Sequence, residues 1–100
     1  MTILSDNIKQ RFDHEAAKQT LKEKHEAKLI FASCGGMWRA DPTLITLLTS
    51  IEDIDNPVIL DLYGNPTSVN RVDLLNETKQ RWQEQMNAWQ NEYNEMSRIR

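Results

Sequence analysis

The chain has 100 residues, of which 39% are hydrophobic, and a net charge of -3. This length predicts a single domain, with a sheet-containing core at 28–70 and a long C-terminal helix at 71–100. The acidic balance argues against general nucleic-acid binding, which depends on neutralising phosphates. No apolar run approaches the roughly 20 residues that cross a bilayer, so we expect no membrane partner.

The first predicted helix spans residues 6–28, with Ser5 as its N-cap. Ile8 and Phe12 continue an apolar stripe for about three turns, beyond which the segment is mostly charged or polar. A helix with so short an apolar stripe is marginal in water by itself. We therefore expect Ile8 and Phe12 to pack against the C-terminal helix, either of the same chain or of a second copy.

A predicted hairpin and a short helix follow. The hairpin consists of a strand at 28–34, a turn at Gly35-Gly36 that supplies positive φ, and a returning strand at 37–40. Asp41-Pro42 then indicates a helix start, with a capping acid before proline at the first helical position, and this helix ends by Ser50.

A second hairpin leads into the last helix. Residues 58–63 have the composition of a strand, Gly64-Asn65-Pro66 turns the chain, and 67–69 pair back. Asn70 is the predicted N-cap of a helix that runs to the end of the sequence without glycine or proline. The predicted fold class is α+β, with a small antiparallel sheet of two hairpins, an N-terminal helix, a short middle helix and a long C-terminal helix.

The C-terminal helix carries a stripe of residues spaced alternately by three and four. Its members are Val72, Leu75, Lys79, Trp82, Met86, Trp89, Tyr93, Met96 and Arg100. So many aromatic rings must be covered, and the two candidates for covering them are another chain and this chain's own sheet. The predicted partner-binding residues are Trp82, Met86, Trp89, Tyr93 and Met96, together with Ile8 and Phe12.

No motif in the sequence indicates catalysis, a cofactor or a metal. Cys34 has no base fixed beside it, and His14 and His25 lack the spacing of metal ligands. Aromatic residues on the last helix could stack on single-stranded nucleic acid, but residues 71–100 hold five basic and five acidic residues and therefore no basic groove. We expect a protein that is not an enzyme and has no cofactor.

Four segments carry a resemblance to a known family: 5–16, 35–38, 60–66 (Leu60-Asp61-Leu62-Tyr63 with Asn65-Pro66) and 81–89. They resemble small proteins of contractile-tailed phages (myoviruses) that infect marine cyanobacteria, which are described as virion structural proteins or have no assigned role. The resemblance implies a place in the virion or in the cytoplasm of the infected bacterium. The partners that we expect, given the aromatic stripe, are copies of the chain itself, as a dimer or larger oligomer, or another virion protein. The resemblance transfers no catalytic or binding residue.

Two functional hypotheses follow. The first is a small non-enzymatic structural or assembly protein of a tailed phage, which associates through its aromatic C-terminal helix. The alternative is an infection-time regulator that binds a host protein such as RNA polymerase or a nuclease.

Overall fold

The computed structural model describes the backbone of residues 2–99 and the side chains of residues 14–98. Its elements are α1 (Thr2–Ala27), β1 (Ile30–Ser33), β2 (Gly36–Arg39), α2 (Pro42–Ser50), β3 (Val58–Leu60), β4 (Pro66–Ser68) and α3 (Arg71–Ile99). The predicted mixed α+β fold is confirmed, but the hairpins form two separate two-stranded antiparallel sheets. Because α1 already begins at Thr2, Ser5 lies inside the helix and is not its N-cap.

The first hairpin turns one residue earlier than predicted. Ser33 pairs with Gly36, so the two central residues are Cys34 and Gly35, and both have positive φ, as a tight two-residue hairpin loop requires. Gly36 lies in strand β2, and glycine is favoured at this position for a steric reason instead of a positive φ. A Cβ there would lie 3.1 Å from the Trp38 ring and 3.2 Å from the Cβ of Asp61, so a larger residue would push these neighbours apart.

The helix α2 confirms its predicted start and end. The Asp41 carboxylate accepts a hydrogen bond from the backbone N–H of Leu44 at 2.9 Å, which satisfies one of the free donors of the first turn. At the other end, the guanidinium of Arg71 donates to the carbonyl oxygen of Leu48 at 3.1 Å. Both ends of α2 are therefore tied by side chains, and Leu48 is fully buried between them.

The second hairpin is shorter than predicted, since β3 ends at Leu60 instead of Tyr63. Asp61 leaves the strand because its carboxylate accepts hydrogen bonds from the backbone N–H groups of Tyr63 and Asn65, which closes a turn. Gly64 supplies the positive φ of that turn.

The core lies where the two hairpins, α2 and the first turns of α3 meet. Trp38 anchors it, with its indole N–H donating to the carbonyl oxygen of Ser33 at 2.7 Å. Asn70 is the N-cap of α3, as predicted, and accepts a hydrogen bond from the backbone N–H of Asp73 at 3.1 Å. The buried apolar residues are Leu29, Phe31, Trp38, Ala40, Leu48, Ile59, Val69 and Leu74. None of the helices in the described part of the chain is long and apolar enough for a membrane span.

Candidate association surface

At the start of α3 the predicted stripe follows the inward face only in part, since Leu75 packs against the core but its neighbours in the stripe do not. Leu74 and Thr78 are fully buried, whereas Val72 is 51% exposed and Lys79 is exposed. A straight helix repeats every 3.6 residues, so a strict alternation of three and four does not stay on the face that meets the core. The charged Lys79 thus avoids burial.

Farther along α3, the predicted stripe and the inward face coincide. Trp82 and Met86 are half-buried and pack against the hydrophobic core of this chain. Met86 is the last residue of α3 that packs against the core, so the following turns of α3 lie beyond the core. We call residues 14–27 of α1 and 87–98 of α3 the distal helix pair.

His25 is the central residue of the contact between α1 and α3. Its side chain is fully buried, and its ring stacks on the indole of Trp89 at a centroid distance of 5.7 Å and an interplanar angle of 6°. The amide of Gln85 forms a hydrogen bond with Nδ1 of His25, and Nε2 lies 3.3 Å from a carboxylate oxygen of Glu92. Three residues of α3 therefore surround one imidazole of α1.

A second contact covers the outer side of that imidazole. The ammonium group of Lys24 lies 2.9 Å from both carboxylate oxygens of Glu92. This hydrogen bond is the main cause that lowers the pKa of Glu92, and the nearby charges of Lys24, His25 and Lys28 lower it further while desolvation opposes them. The arrangement can hold two helices together through charge and hydrogen bonds.

A groove runs between the helices of the distal helix pair. It has a volume of about 220 Å³. Lining it are Glu15, Lys18, Gln19, Lys22, Trp89 and Tyr93. Since later residues of α3 face earlier residues of α1, the two helices run antiparallel.

Of the remaining predicted partner-binding residues, Trp89 and Tyr93 line this groove, whereas Met96 lines a separate one. Trp89 is half-buried, Tyr93 remains 40% exposed and Met96 is half-buried. The predicted contact of Ile8 and Phe12 with α3 falls outside the residues whose side chains the structure describes.

Sequence reasoning missed His25, Gln85 and Thr78 as inward-facing residues. His25 lies in the charged second half of α1, which the sequence predicts to be exposed. The signal that could have identified it is its spacing, since it lies four residues after Leu21 and four before the buried Leu29. Such spacing identifies a polar residue at a core position only if the position is judged by its place in the helical repeat and not by whether its residue is polar.

Within the residues that the structure describes, no group of three or more His, Cys, Asp or Glu side chains is placed to hold a metal ion. Cys34 is exposed at its turn. No protein-family model matches this chain, and no curated protein or solved structure matches it significantly. The function of the chain is therefore inferred from the surfaces of the molecule.

Proposed function

We propose that this protein is a small non-enzymatic structural or assembly protein of a tailed phage, and that copies of it associate through the distal helix pair. The observation that carries the proposal is the incomplete cover of the aromatic residues beyond Met86. Trp89 stacks on His25 of α1 and remains only half-buried, and Tyr93 stays 40% exposed beside an open groove. The resemblance to small cyanophage proteins supports the assignment to a phage particle.

Two helices form a single layer, which buries only one side of each helix. A second pair from another copy would supply the missing layer and make a four-helix arrangement, a common way to bury such stripes. The groove is lined by one acid, Glu15, and two bases, Lys18 and Lys22, as well as aromatic rings, so a second copy related by twofold symmetry can place its Glu15 near a lysine of the first. A second copy also brings the same exposed aromatic residues that need cover.

Truncation of Tyr93 tests this association directly. We expect Tyr93→Ala to weaken self-association about tenfold, because exposed aromatic residues that become buried in an interface dominate its binding energy. Trp89→Ala should cost about 2 kcal/mol or more of association free energy, but it also removes the stacking on His25. Tyr93→Ala is therefore the cleaner variant. Sedimentation equilibrium over a range of protein concentrations measures the effect.

The matched control is Val72→Ala, which truncates a 51% exposed apolar side chain at the other end of the same helix. It should leave association unchanged. A wild-type chain that is monomeric at all concentrations, or equal effects of the two variants, would contradict the proposed interface.

Mass spectrometry of purified particles tests the assignment to a virion. A structural protein is present at a stoichiometric copy number. Self-association together with absence from the particles would favour a transient assembly factor, and absence of both would favour the alternative of a regulator that binds a host protein.

A further inference from the structure

Large aliphatic side chains are exposed on α2 and on the outer side of β3, away from the distal helix pair. Val58 and Leu60 lie two residues apart on one face of β3 and are 66% and 65% exposed, while Ile59 between them is buried. Leu47 of α2 is 40% exposed. We call Leu47, Val58 and Leu60 the α2–β3 face.

A groove gives this face its shape. It has a volume of about 200 Å³ and runs between α2 and the end of β3, with Leu44, Leu47, Leu60 and Leu62 among its lining residues. A row of exposed aliphatic residues beside a groove marks an interaction site more often than scattered surface leucines do. The shape suits an inserted aliphatic side chain.

The charge around the α2–β3 face is mostly negative, although the basic Arg39 is among the residues that line the groove. Residues 40–70 contain five acidic residues and no lysine, arginine or histidine, which leaves ten acidic and twelve basic residues for the rest of the chain. Because the loop 51–57 joins α2 to β3, its exposed acids Glu52, Asp53 and Asp55 lie at one end of the face. Asp41 and Asp61 line the groove at the other end.

We propose that the α2–β3 face binds a segment of another protein in which aliphatic residues lie beside lysine or arginine. Aliphatic side chains of the segment would enter the groove, and its cations would meet the acids at either end. Residues 39–70 hold five acidic residues and one basic residue, Arg39, so two copies of this face would each bring a net charge of -4, and this repulsion disfavours pairing of the face with itself. The occupant is therefore a different chain, and the interaction is separate from the association through the distal helix pair.

A peptide titration tests the proposal on the full-length chain. The probe is a peptide of about ten residues with leucine at alternate positions in its middle and lysines at both ends, since an extended strand presents alternate residues to one face and its ends would reach the acids. The matched peptides replace leucine with serine, or lysine with glutamate. We expect the leucine–lysine peptide alone to shift the amide signals of Leu47, Val58 and Leu60 in ¹⁵N-labelled protein.

Variants separate the two parts of the interaction. Leu60→Ser should weaken peptide binding about tenfold, and the double variant Glu52→Gln, Asp53→Asn about threefold. Tyr93→Ser, which removes an exposed side chain of the distal helix pair, should leave peptide binding unchanged. Leu60→Ser in turn should leave self-association unchanged, so the failure of one proposal is distinguishable from the failure of the other.

Three results would overturn the proposal. Equal binding of the serine–lysine peptide would reduce the interaction to charge alone. Signal shifts centred on α1 and α3 would place the peptide elsewhere. Concentration-dependent shifts of Val58 and Leu60 without any peptide would identify a second copy as the occupant.

Discussion

Among single residues, Asp61 links more parts of the fold than its position in a turn suggests. One carboxylate oxygen accepts hydrogen bonds at 2.9 Å from the backbone N–H groups of both Tyr63 and Asn65. The other accepts from the backbone N–H of Met37 at 3.2 Å, and thereby joins the second hairpin to the first. The N–H of Asn65 contributes most to a lowered pKa of Asp61, with Met37 and Tyr63 adding to it and desolvation opposing them.

Asp61→Asn should therefore lower the free energy of unfolding. The carboxyl pKa is lower in the folded chain than its ordinary value of 3.8, so its stabilisation is present above pH 3.8 and is lost as the pH falls below it. Urea unfolding at pH 7 and pH 3 should show a smaller loss of stability with pH for the variant than for the wild type. Asp53→Asn in the acidic loop is the control, and an unchanged urea midpoint for Asp61→Asn would refute the role of this carboxylate.

Thr78 shows the opposite situation, a buried polar group without a partner. Its side chain is fully buried on α3, and among the residues that the structure describes its hydroxyl oxygen has no hydrogen-bond partner. Leaving a buried hydroxyl unpaired costs about 1–3 kcal/mol. This threonine fills its place in the core by shape alone.

Thr78→Val should raise the free energy of unfolding by about 1 kcal/mol, because valine has nearly the same shape and no hydroxyl. Thermal denaturation should show a Tm higher by about 4–8 °C. Thr78→Ser keeps the hydroxyl and removes the methyl group, so it should lower the Tm. A less stable valine variant would mean that the hydroxyl has a partner in solution.

At the level of elements, α1 depends on α3 for its stability. Its described contacts with α3 combine one stacked pair of rings with the polar groups of Lys24, His25, Gln85 and Glu92. Exposed ion pairs contribute little individually, but here the charged groups also surround a buried imidazole. The contact should therefore respond to the charge of Glu92.

Acidification should loosen α1 from α3. The pKa of Glu92 is lower in the folded chain than its ordinary value of 4.5, so the contribution of this carboxylate is present above pH 4.5 and is lost as the pH falls below it. Hydrogen exchange of the backbone amides of Lys22 to Ala27, measured relative to the intrinsic rate at each pH, should show less protection at pH 3.5 than at pH 6. Glu92→Gln should show this loss of protection already at pH 6, with little further change on acidification.

Glu95→Gln is the matched control, since the Glu95 carboxylate lies 3.6 Å from Arg98 of its own helix and does not join α1. If Glu95→Gln changes the protection of the backbone amides of α1 as much as Glu92→Gln does, the effect arises from general charge and not from the Lys24–Glu92 contact.

The sequence was sufficient to predict the order of the elements, both ends of α2 and the start of α3, whereas the start of α1 and most strand ends differ from the prediction. Asp41-Pro42 and Asn70 act locally, through hydrogen bonds within one turn, so the start of α2 and of α3 could be predicted from neighbouring residues. The turn at Cys34-Gly35 was misplaced because the role of Gly36 depends on Trp38 and on the distant Asp61. Features that rest on contacts between distant segments have no local signal.

The same reason limits the prediction of the surface. The spacing of the aromatic residues on α3 indicated an apolar face, but it could not separate Trp82, which packs on the core, from Tyr93, which remains exposed. That difference depends on where the core ends along α3. The position of His25 opposite Trp89 likewise depends on how two helices cross.

As a whole molecule, the protein is elongated, with dimensions of 64 × 24 × 21 Å. The core of hairpins and α2 lies against the first turns of α3, and the distal helix pair extends beyond Met86. The two proposed surfaces are thus on different parts of one rod-like chain. A protein that binds itself through one part and a basic partner through another can connect a repeating array to a second component.

The single thiol of the chain has a consequence for how copies can be joined covalently. Cys34 is the only cysteine and is exposed, and its neighbour Ser33 lies against Glu77, about 24 Å along α3 from Tyr93. Air oxidation can therefore only crosslink two chains, and it would tether them by their core regions. Such a species would resemble the proposed dimer in mass but have a different shape and survive dilution. A reductant, or a reporter dye attached to the thiol, separates the two while leaving the distal helix pair untouched.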